Sequence, residues 1–218
     1  MFDRIRLMFS SIIHRILFSN PKFYIYWLLR KGVIIGKGTW FFGHVKIDVT
    51  RPLLVEIGRN CILTDGVIIL THGYDWAVLR EKYGEMISSS GKVVLGDNVF
   101  VGTQSIILKG IKIGNNTIIG AGSVVTHDIP SDCVAAGNPC KVIMSLDQYY
   151  KKRKSVYVEE AKKYALEIYI KRKTIPSISD FGEELPIFSS KYNSFQEFLV
   201  DSGIPKEKLK QSKSRLVF

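Results

Sequence analysis

An aliphatic residue recurs at every sixth position through the middle of this chain, and this repeat limits the possible folds more than any other feature. Six residues is neither the period of an α-helix nor the simple alternation of a long strand. It is typical of a solenoid of very short strands, each pointing one aliphatic residue inward, with three strands closing a coil of about 18 residues. The recurring residues of the clearest run are Leu95, Val101, Ile107, Ile113, Ile119 and Val125.

The repeat extends towards the N-terminus, but it is interrupted once. A looser set begins at Ile35, and a regular run ends at Ile69. The next residue in phase is Leu95, 26 residues after Ile69. Residues 75–91 therefore lie outside the coil, and their glycines, serines and charges indicate an exposed loop that folds over a ligand.

The segment "IGNNTIIGAGSVVTHDIPSDCVAAGNPCKVI" ends the repeat, with "AGNPCK" at residues 136–141. Together with the repeat it resembles the hexapeptide-repeat acyltransferases, in their sugar O-acetyltransferase branch. The resemblance covers about residues 32–145. It implies an all-β solenoid, a left-handed parallel β-helix, here with an N-terminal amphipathic helix and a C-terminal helical extension. It also implies acetyl-CoA as co-substrate and a homotrimer with sites between subunits.

His72 stands in "LTHGYDW", where the repeat stops. Members of the sugar-modifying branch place their general base just before a loop that leaves the coil, so the resemblance implies that His72 is this base. Free imidazole has a pKa of about 6.5 and can accept a proton near neutral pH. The alternative is a structural histidine at the start of a loop. No two histidines are close in sequence, so no metal is expected at the site.

The resemblance also implies a donor site for coenzyme A along the C-terminal coils. Phe100 stands where many relatives have tryptophan, and a backbone N–H near Thr103 would stabilise the oxyanion. The glycines fit the turns of a solenoid equally well. The matching positions are Phe100, Gly102, Thr103, Gly120, Ala121, Thr126, His127 and Lys141.

Four residues near His72 in sequence are candidates for binding the saccharide acceptor: Asp65, Tyr74, Asp75 and Trp76. An aromatic ring with a carboxylate is common in sugar sites. Two alternatives stay open, since Asp75 could orient the histidine and Trp76 could anchor the loop by packing.

The net charge of +11 does not indicate nucleic-acid binding, because residues 32–145 carry ten basic against nine acidic residues and the excess lies at the two ends. No secretory signal is recognisable, and the three cysteines contain no CxxC pair, so we expect a cytoplasmic protein whose cysteines are packed in the core. The N-terminal segment either packs on the body or makes peripheral contact with the inner face of the membrane. Its helically spaced apolar residues are Ile5, Met8, Phe9, Ile12, Ile13, Ile16 and Leu17.

The chain divides into an N-terminal helical segment (1–31), the solenoid (32–145) and a C-terminal extension (146–218). A capping box, Ser145 with Gln148, predicts a helix to about residue 173, and a second box predicts a short helix from Ser194. The extension either caps the solenoid, contacts a neighbouring subunit or meets a membrane or protein partner.

The resemblance implies an acetyl-CoA-dependent O-acetyltransferase that acts on a saccharide, and we expect it to act in surface or capsular polysaccharide assembly. The alternatives are an N-acetyltransferase acting on a nucleotide-linked amino sugar and a non-catalytic solenoid scaffold.

Overall fold

A computed structural model describes residues 20–184 and 192–213. The chain divides into two compact units, with the boundary between Tyr149 and Tyr150. The apolar N-terminal segment, residues 5–17, lies outside the described residues.

The first unit contains sixteen short strands among the described residues, joined by tight turns. In chain order they are β1 (Ile34–Ile35), β2 (Trp40–Phe41), β3 (Lys46–Ile47), β4 (Val55–Ile57), β5 (Ile62–Leu63), β6 (Ile68–Ile69), β7 (His72–Gly73), β8 (Ser89–Ser90), β9 (Val93–Leu95), β10 (Val99–Val101), β11 (Ile106–Ile107), β12 (Lys112–Ile113), β13 (Thr117–Ile119), β14 (Val124–Val125), β15 (Cys133–Ala136) and β16 (Lys141–Ser145).

Three parallel sheets form the walls of the solenoid, as the repeat predicts. Sheet A has the order β1-β4-β9-β12, and sheet C has the order β14-β11-β6-β3. Sheet B has the order β16-β15-β13-β10-β5-β2, and its last strand, β16, is antiparallel to β15. Successive coils are therefore stacked through backbone hydrogen bonds at about 4.8 Å.

The inward residues of the repeat form one continuous core, which confirms the sixfold pattern. Burying a Val, Leu or Ile side chain contributes about 1.5–3 kcal/mol, so this column is a large part of what stabilises the coils. Residues with 4% exposure or less are Phe41, Ile47, Ile57, Leu63, Ile69, Leu95, Val101, Ile107, Ile113, Ile119 and Val125.

Helix α1 (Pro21–Lys31) packs on the first coil. Asn20 caps its N-terminus by accepting hydrogen bonds from Lys22 N and Phe23 N. Tyr24 and Leu28 are buried in the solenoid core, and the Tyr24 hydroxyl accepts a hydrogen bond from Ile47 N at 3.3 Å. Burial raises the pKa of Tyr24 to about 12. No helix in the described ranges, α1 included, is long and apolar enough to cross a bilayer.

The three cysteines, Cys61, Cys133 and Cys140, are free and buried, as expected. Burial raises the pKa of each thiol. They pack in the core of the solenoid.

The first capping box is complete, and the second has one of its two hydrogen bonds. Ser145 N donates to Gln148 Oε1 at 3.0 Å and Gln148 N donates to Ser145 Oγ at 3.2 Å, at the start of a helix that spans Leu146–Arg172. In the second unit Glu197 N donates to Ser194 Oγ, as expected, but the Glu197 carboxylate accepts from Asn193 N.

The second unit has its own apolar core. Helix α2 (Trp76–Tyr83) lies in the first unit. The helices of the second unit are α3 (Leu146–Arg172, which crosses the boundary), α4 (Phe195–Asp201) and α5 (Lys206–Lys213), with a 3-10 helix at Ile178–Glu184. The buried residues of this core are Val158, Ala165, Phe181, Tyr192, Phe198, Leu199, Ile204 and Leu209.

Candidate active site

The regular solenoid is broken twice at one corner, formed by the turns that follow the strands of sheet C. In the regular coil, Ile107 is followed six residues later by the inward residue Ile113. On the first coil the corresponding interval, from Ile47 to Ile57, is ten residues. On the second coil it begins at Ile69 and is 26 residues long. Extra chain therefore accumulates on two adjacent coils at the same corner, and we call this the sheet C corner.

The longer insertion leaves and rejoins the solenoid through a two-stranded neck. His72 pairs with Ser90 and Gly73 with Ser89, in antiparallel register. Gly91 N then donates to Thr71 O at 3.0 Å, which returns the chain to the coil. We call residues 72–90 the excursion.

The excursion is more ordered in its backbone than the exposed loop expected at 75–91. It contains helix α2 (Trp76–Tyr83), which ends at Gly84 in the left-handed conformation. None of the residues in α2 is buried, and Val78 and Tyr83 are strongly exposed. A helix with no buried face lacks the apolar periodicity by which a sequence predicts it.

His72 lies against Asp48, which belongs to the shorter insertion on the coil below. His72 Nδ1 is 2.5 Å from Asp48 Oδ2. The two side chains are only 14% and 10% exposed. An ionised carboxylate can only accept a hydrogen bond, so the pairing places the imidazole proton on Nδ1 and leaves the lone pair on Nε2.

Four donors besides His72 hold the Asp48 carboxylate. Oδ2 accepts from Thr71 Oγ1 at 2.5 Å and from Thr71 N at 3.2 Å. Oδ1 accepts from Thr50 Oγ1 at 2.7 Å and from Thr50 N at 3.1 Å. Burial raises the pKa of Asp48, but the hydrogen bonds from Thr71, Thr50 and His72 outweigh it and hold the pKa well below its usual range. Asp48 is therefore an anion that is fixed in position.

Asp48 is the residue that sequence reasoning missed. It lies 24 positions before His72, and its neighbours "KIDVT" match no motif. Two signals pointed to it: the repeat stacks Ile47 under Ile69, and both long intervals follow strands of the same sheet. Residues that follow stacked strands meet at one corner.

Asp75 does not orient His72, although the sequence left that role open. Its carboxylate instead accepts hydrogen bonds from Ser89 Oγ at 3.0 and 3.2 Å. The Ser89 hydrogen bond lowers the pKa of Asp75, and the nearby charge of Lys109 lowers it further. Asp75 thus ties together the two strands of the neck.

One aromatic ring of the excursion lies next to His72, and a second lies next to the first. The Tyr74 ring centroid is 4.9 Å from that of His72, in an edge-to-face arrangement, and the Tyr74 side chain is 68% exposed. Trp76 lies 6.4 Å from Tyr74 and is partly covered by the Arg80 guanidinium. The exposed ring of Tyr74 is suited to stacking against an apolar face of a sugar ring.

Asp65, the fourth acceptor candidate, is at a different corner. It follows β5 of sheet B, and its carboxylate accepts a hydrogen bond from His44 N at 2.5 Å. Sequence proximity to His72 does not bring the two together within one chain, because consecutive turns of a solenoid lie at different corners.

Four of the donor candidates cluster at the sheet B corner, which we define as the turns that follow the strands of sheet B. Gly102 and Thr103 lie on one coil, with Gly120 and Ala121 on the next. A Cβ at Gly102 would lie 2.5 Å from Ala121 N, so only glycine allows the two turns to stack. In the described part of the chain, the N–H groups of Thr103 and Ala121 have no hydrogen-bond acceptor. These N–H groups are available to a ligand.

The other donor candidates are elsewhere. Phe100 faces outward on β10, 38% exposed, between Ile62 and Ile118 of the neighbouring strands. Thr126 and His127 lie at the sheet C corner, two coils beyond His72, with Thr126 Oγ1 2.8 Å from His127 Nδ1. Lys141 begins β16 and is exposed. Six of the eight donor candidates are therefore divided between two corners of one chain, while Phe100 and Lys141 lie on strands of sheet B.

Comparisons with known proteins point to one family. The model described as bacterial transferase hexapeptide (six repeats) matches residues 92–127. The galactoside O-acetyltransferase of Escherichia coli (strain K12) is 33% identical over 149 residues, which cover 67% of this chain and 70% of that protein. The galactoside O-acetyltransferase of Lactococcus lactis subsp. lactis (strain IL1403) is 32% identical over 140 residues, which cover 64% of this chain and 65% of that protein. Among solved structures, a maltose O-acetyltransferase from Clostridium difficile 630 is 29% identical, covers 63% of this chain and 84% of that chain, and has a TM-score of 0.48.

The match to the Escherichia coli protein extends well beyond the residues of the repeat model, and it covers more than two thirds of that protein. The repeat, the three stacked sheets and the two galactoside O-acetyltransferases agree. The chain belongs to the bacterial hexapeptide transferase family and is an acyltransferase.

Proposed function

We propose that this chain is an acetyl-CoA-dependent O-acetyltransferase that transfers acetyl to a saccharide hydroxyl, with His72 as general base. The observation that carries the proposal is the Asp48–His72 pair, which leaves the lone pair of Nε2 available to accept a proton. The relatives named as galactoside O-acetyltransferases support a sugar acceptor. We place the reaction in surface or capsular polysaccharide assembly and in the cytoplasm, where acetyl-CoA is available.

The reaction proceeds by direct transfer. His72 Nε2 takes the proton of the sugar hydroxyl while the hydroxyl oxygen attacks the thioester carbonyl carbon. The carbonyl electrons move to oxygen, and the Thr103 N–H stabilises this oxyanion. The intermediate then collapses, the C–S bond breaks, and the imidazolium returns its proton to the departing sulfur. Asp48 stabilises the imidazolium between the two proton transfers.

Donor binding is assigned to the sheet B corner and to the later turns of the sheet C corner. Gly102 and Gly120 allow the pantetheine arm to approach the backbone closely, and Lys141 offers an ammonium to phosphate. The division of candidates between two corners supports a homotrimer, in which one subunit supplies the sheet B corner and its neighbour supplies His72. We also propose the left-handed coil that the family resemblance implies.

Thiol release from acetyl-CoA tests this function, measured with neutral sugars, oligosaccharides and nucleotide-linked amino sugars as acceptors. We expect His72→Ala to lower kcat by about 10²- to 10⁴-fold with the best saccharide. Arg59→Ala is the matched control, because Arg59 is exposed at the turn that follows β4 of sheet A, a corner with no assigned role, and it should stay within about twofold.

Three results would contradict the proposal. Full activity of His72→Ala would show that His72 is not the general base. Transfer confined to amino groups would make the chain an N-acetyltransferase. Absence of coenzyme A binding would indicate a scaffold.

A further inference from the structure

One lysine close to His72 has no role in the mechanism above. Lys109 follows β11 at the sheet C corner. Because Ile69 pairs with Ile107, Lys109 lies one coil above Thr71, whereas Asp48 lies one coil below. The coil that carries His72 is thus flanked by an anion on one side and a cation on the other, each one strand spacing away.

The Lys109 side chain reaches over the neck of the excursion. Its Nζ atom lies 3.1 Å from the point that a Cβ would occupy at Gly73, the residue after His72. The backbone of Gly73 is not in the left-handed region, so glycine is needed here for space and not for conformation. Any larger residue at this position would push against the ammonium and against Asp75.

Within residues 20–184 and 192–213, no carboxylate lies within 4 Å of Lys109 Nζ, and the side chain is only partly exposed. The charge of Lys109 lowers the pKa of Asp75, but Ser89 holds the Asp75 carboxylate in the neck by hydrogen bonds. The ammonium of Lys109 therefore has N–H donors that a bound carboxylate or phosphate can accept, and such a contact would be charge-assisted.

We infer that Lys109 binds a carboxylate or phosphate group of the acceptor, which makes this enzyme selective for an acidic saccharide. The sugar ring lies against the exposed Tyr74 ring, its reacting hydroxyl faces His72 Nε2, and its acidic group meets Lys109. This inference rests on the proposed function and names the acceptor class of the same site.

The test compares methyl galactoside, methyl galacturonide and galactose 6-phosphate as acceptors for the wild type, Lys109→Gln and Lys109→Arg. We expect the wild type to favour the acidic acceptors by about tenfold in kcat/KM, which is the usual effect of one charge-assisted contact. Lys109→Gln should lose this preference and keep neutral activity within twofold, and Lys109→Arg should retain it. Lys112→Gln is the matched control, because Lys112 is exposed on sheet A.

The source of the anion is tested by the KM for acetyl-CoA. If Lys109 instead binds a phosphate of coenzyme A, Lys109→Gln raises that KM and the inference is overturned. If Lys109→Gln loses equal activity with neutral and acidic acceptors, Lys109 only stabilises the neck, and the inference is again overturned.

Failure of this inference is distinguishable from failure of the proposed function. If the wild type acetylates neutral galactoside through His72 but shows no preference for acidic acceptors that Lys109→Gln removes, only the inference is overturned. A wild type that acetylates none of the saccharides overturns both.

Discussion

The coils and the excursion of this solenoid differ in what they bury. Every coil places aliphatic side chains such as Ile69 and Ile107 in a closed interior, and both are fully buried. Helix α2 of the excursion buries none of its residues, and Val78 in it is 71% exposed. His72 stands where the two regions join. The coils supply Asp48, which orients its ring, while the excursion supplies the exposed ring of Tyr74 beside it, so the residue that positions His72 and the neighbouring exposed ring come from separate parts of the chain.

The largest expected effect concerns the side of this junction that belongs to the coil. In Asp48→Asn the amide NH2 can donate to Nδ1, which favours the tautomer with no lone pair on Nε2. We expect kcat to fall by about 10²- to 10⁴-fold. Asp97→Asn is the matched control, since Asp97 also accepts backbone and side-chain hydrogen bonds at a turn, but far from His72 in the coil. If the Asp48→Asn enzyme stayed active, the excursion alone would be enough to orient the His72 ring.

The second prediction compares the two regions directly by stability. Ile107→Ala removes buried methyl groups from the interior and should lower the free energy of unfolding by about 2–5 kcal/mol. Val78→Ala on α2 should change it by less than about 0.5 kcal/mol. Urea-induced unfolding measures both. Comparable losses would mean that the excursion is packed against something in solution.

A smaller effect is expected for Thr71, which is fully buried and donates twice to Asp48. Thr71→Val removes the hydroxyl but keeps the backbone N–H, so kcat/KM should fall by about tenfold, the loss of one hydrogen bond to a charged group. Thr71→Ser keeps the hydroxyl and should restore most of the activity. If the serine and valine variants behave alike, the hydroxyl has no positioning role.

The smallest effect is a pH dependence of stability. The pKa of Asp48 is lowered in the folded protein, so its contribution to stability is present above the unfolded value of about 3.9 and is lost as the pH falls below it. The difference in free energy of unfolding between the wild type and Asp48→Asn should therefore shrink on acidification from pH 6 to pH 3. A difference that stays constant over this range would mean that Asp48 is not held as an anion.

The coils could be predicted from the sequence because each short strand encodes its own inward residue. The interval between Ile69 and Leu95 also located the excursion, and the Ser145 capping box located the long helix. These features depend on residues close together in the chain, so the sequence pattern can be recognised without knowledge of the fold.

The rest of the site depends on residues that are distant in the chain. Asp65 is close to His72 in sequence but belongs to another corner, whereas Asp48 and Lys109 are distant in sequence and lie one coil away. In a solenoid, residues at the same corner of adjacent coils are close in space, whereas residues in consecutive turns of one coil lie at different corners. Helix α2 could not be predicted for a different reason. None of its residues is buried, so its sequence has no apolar face that would indicate a helix.

The pairing of Asp48 with His72 joins two consecutive coils through their side chains. Repeat structures are stabilised by contacts between nearest neighbours, so their end coils can detach while the others stay folded. Detachment of the first coil would withdraw Asp48 from His72 and leave the coils that carry Thr103 and Ala121 intact. If His72 is the base as proposed, catalysis depends on the docking of the N-terminal coil, because the base has its orienting carboxylate only while that coil stays folded on the next one.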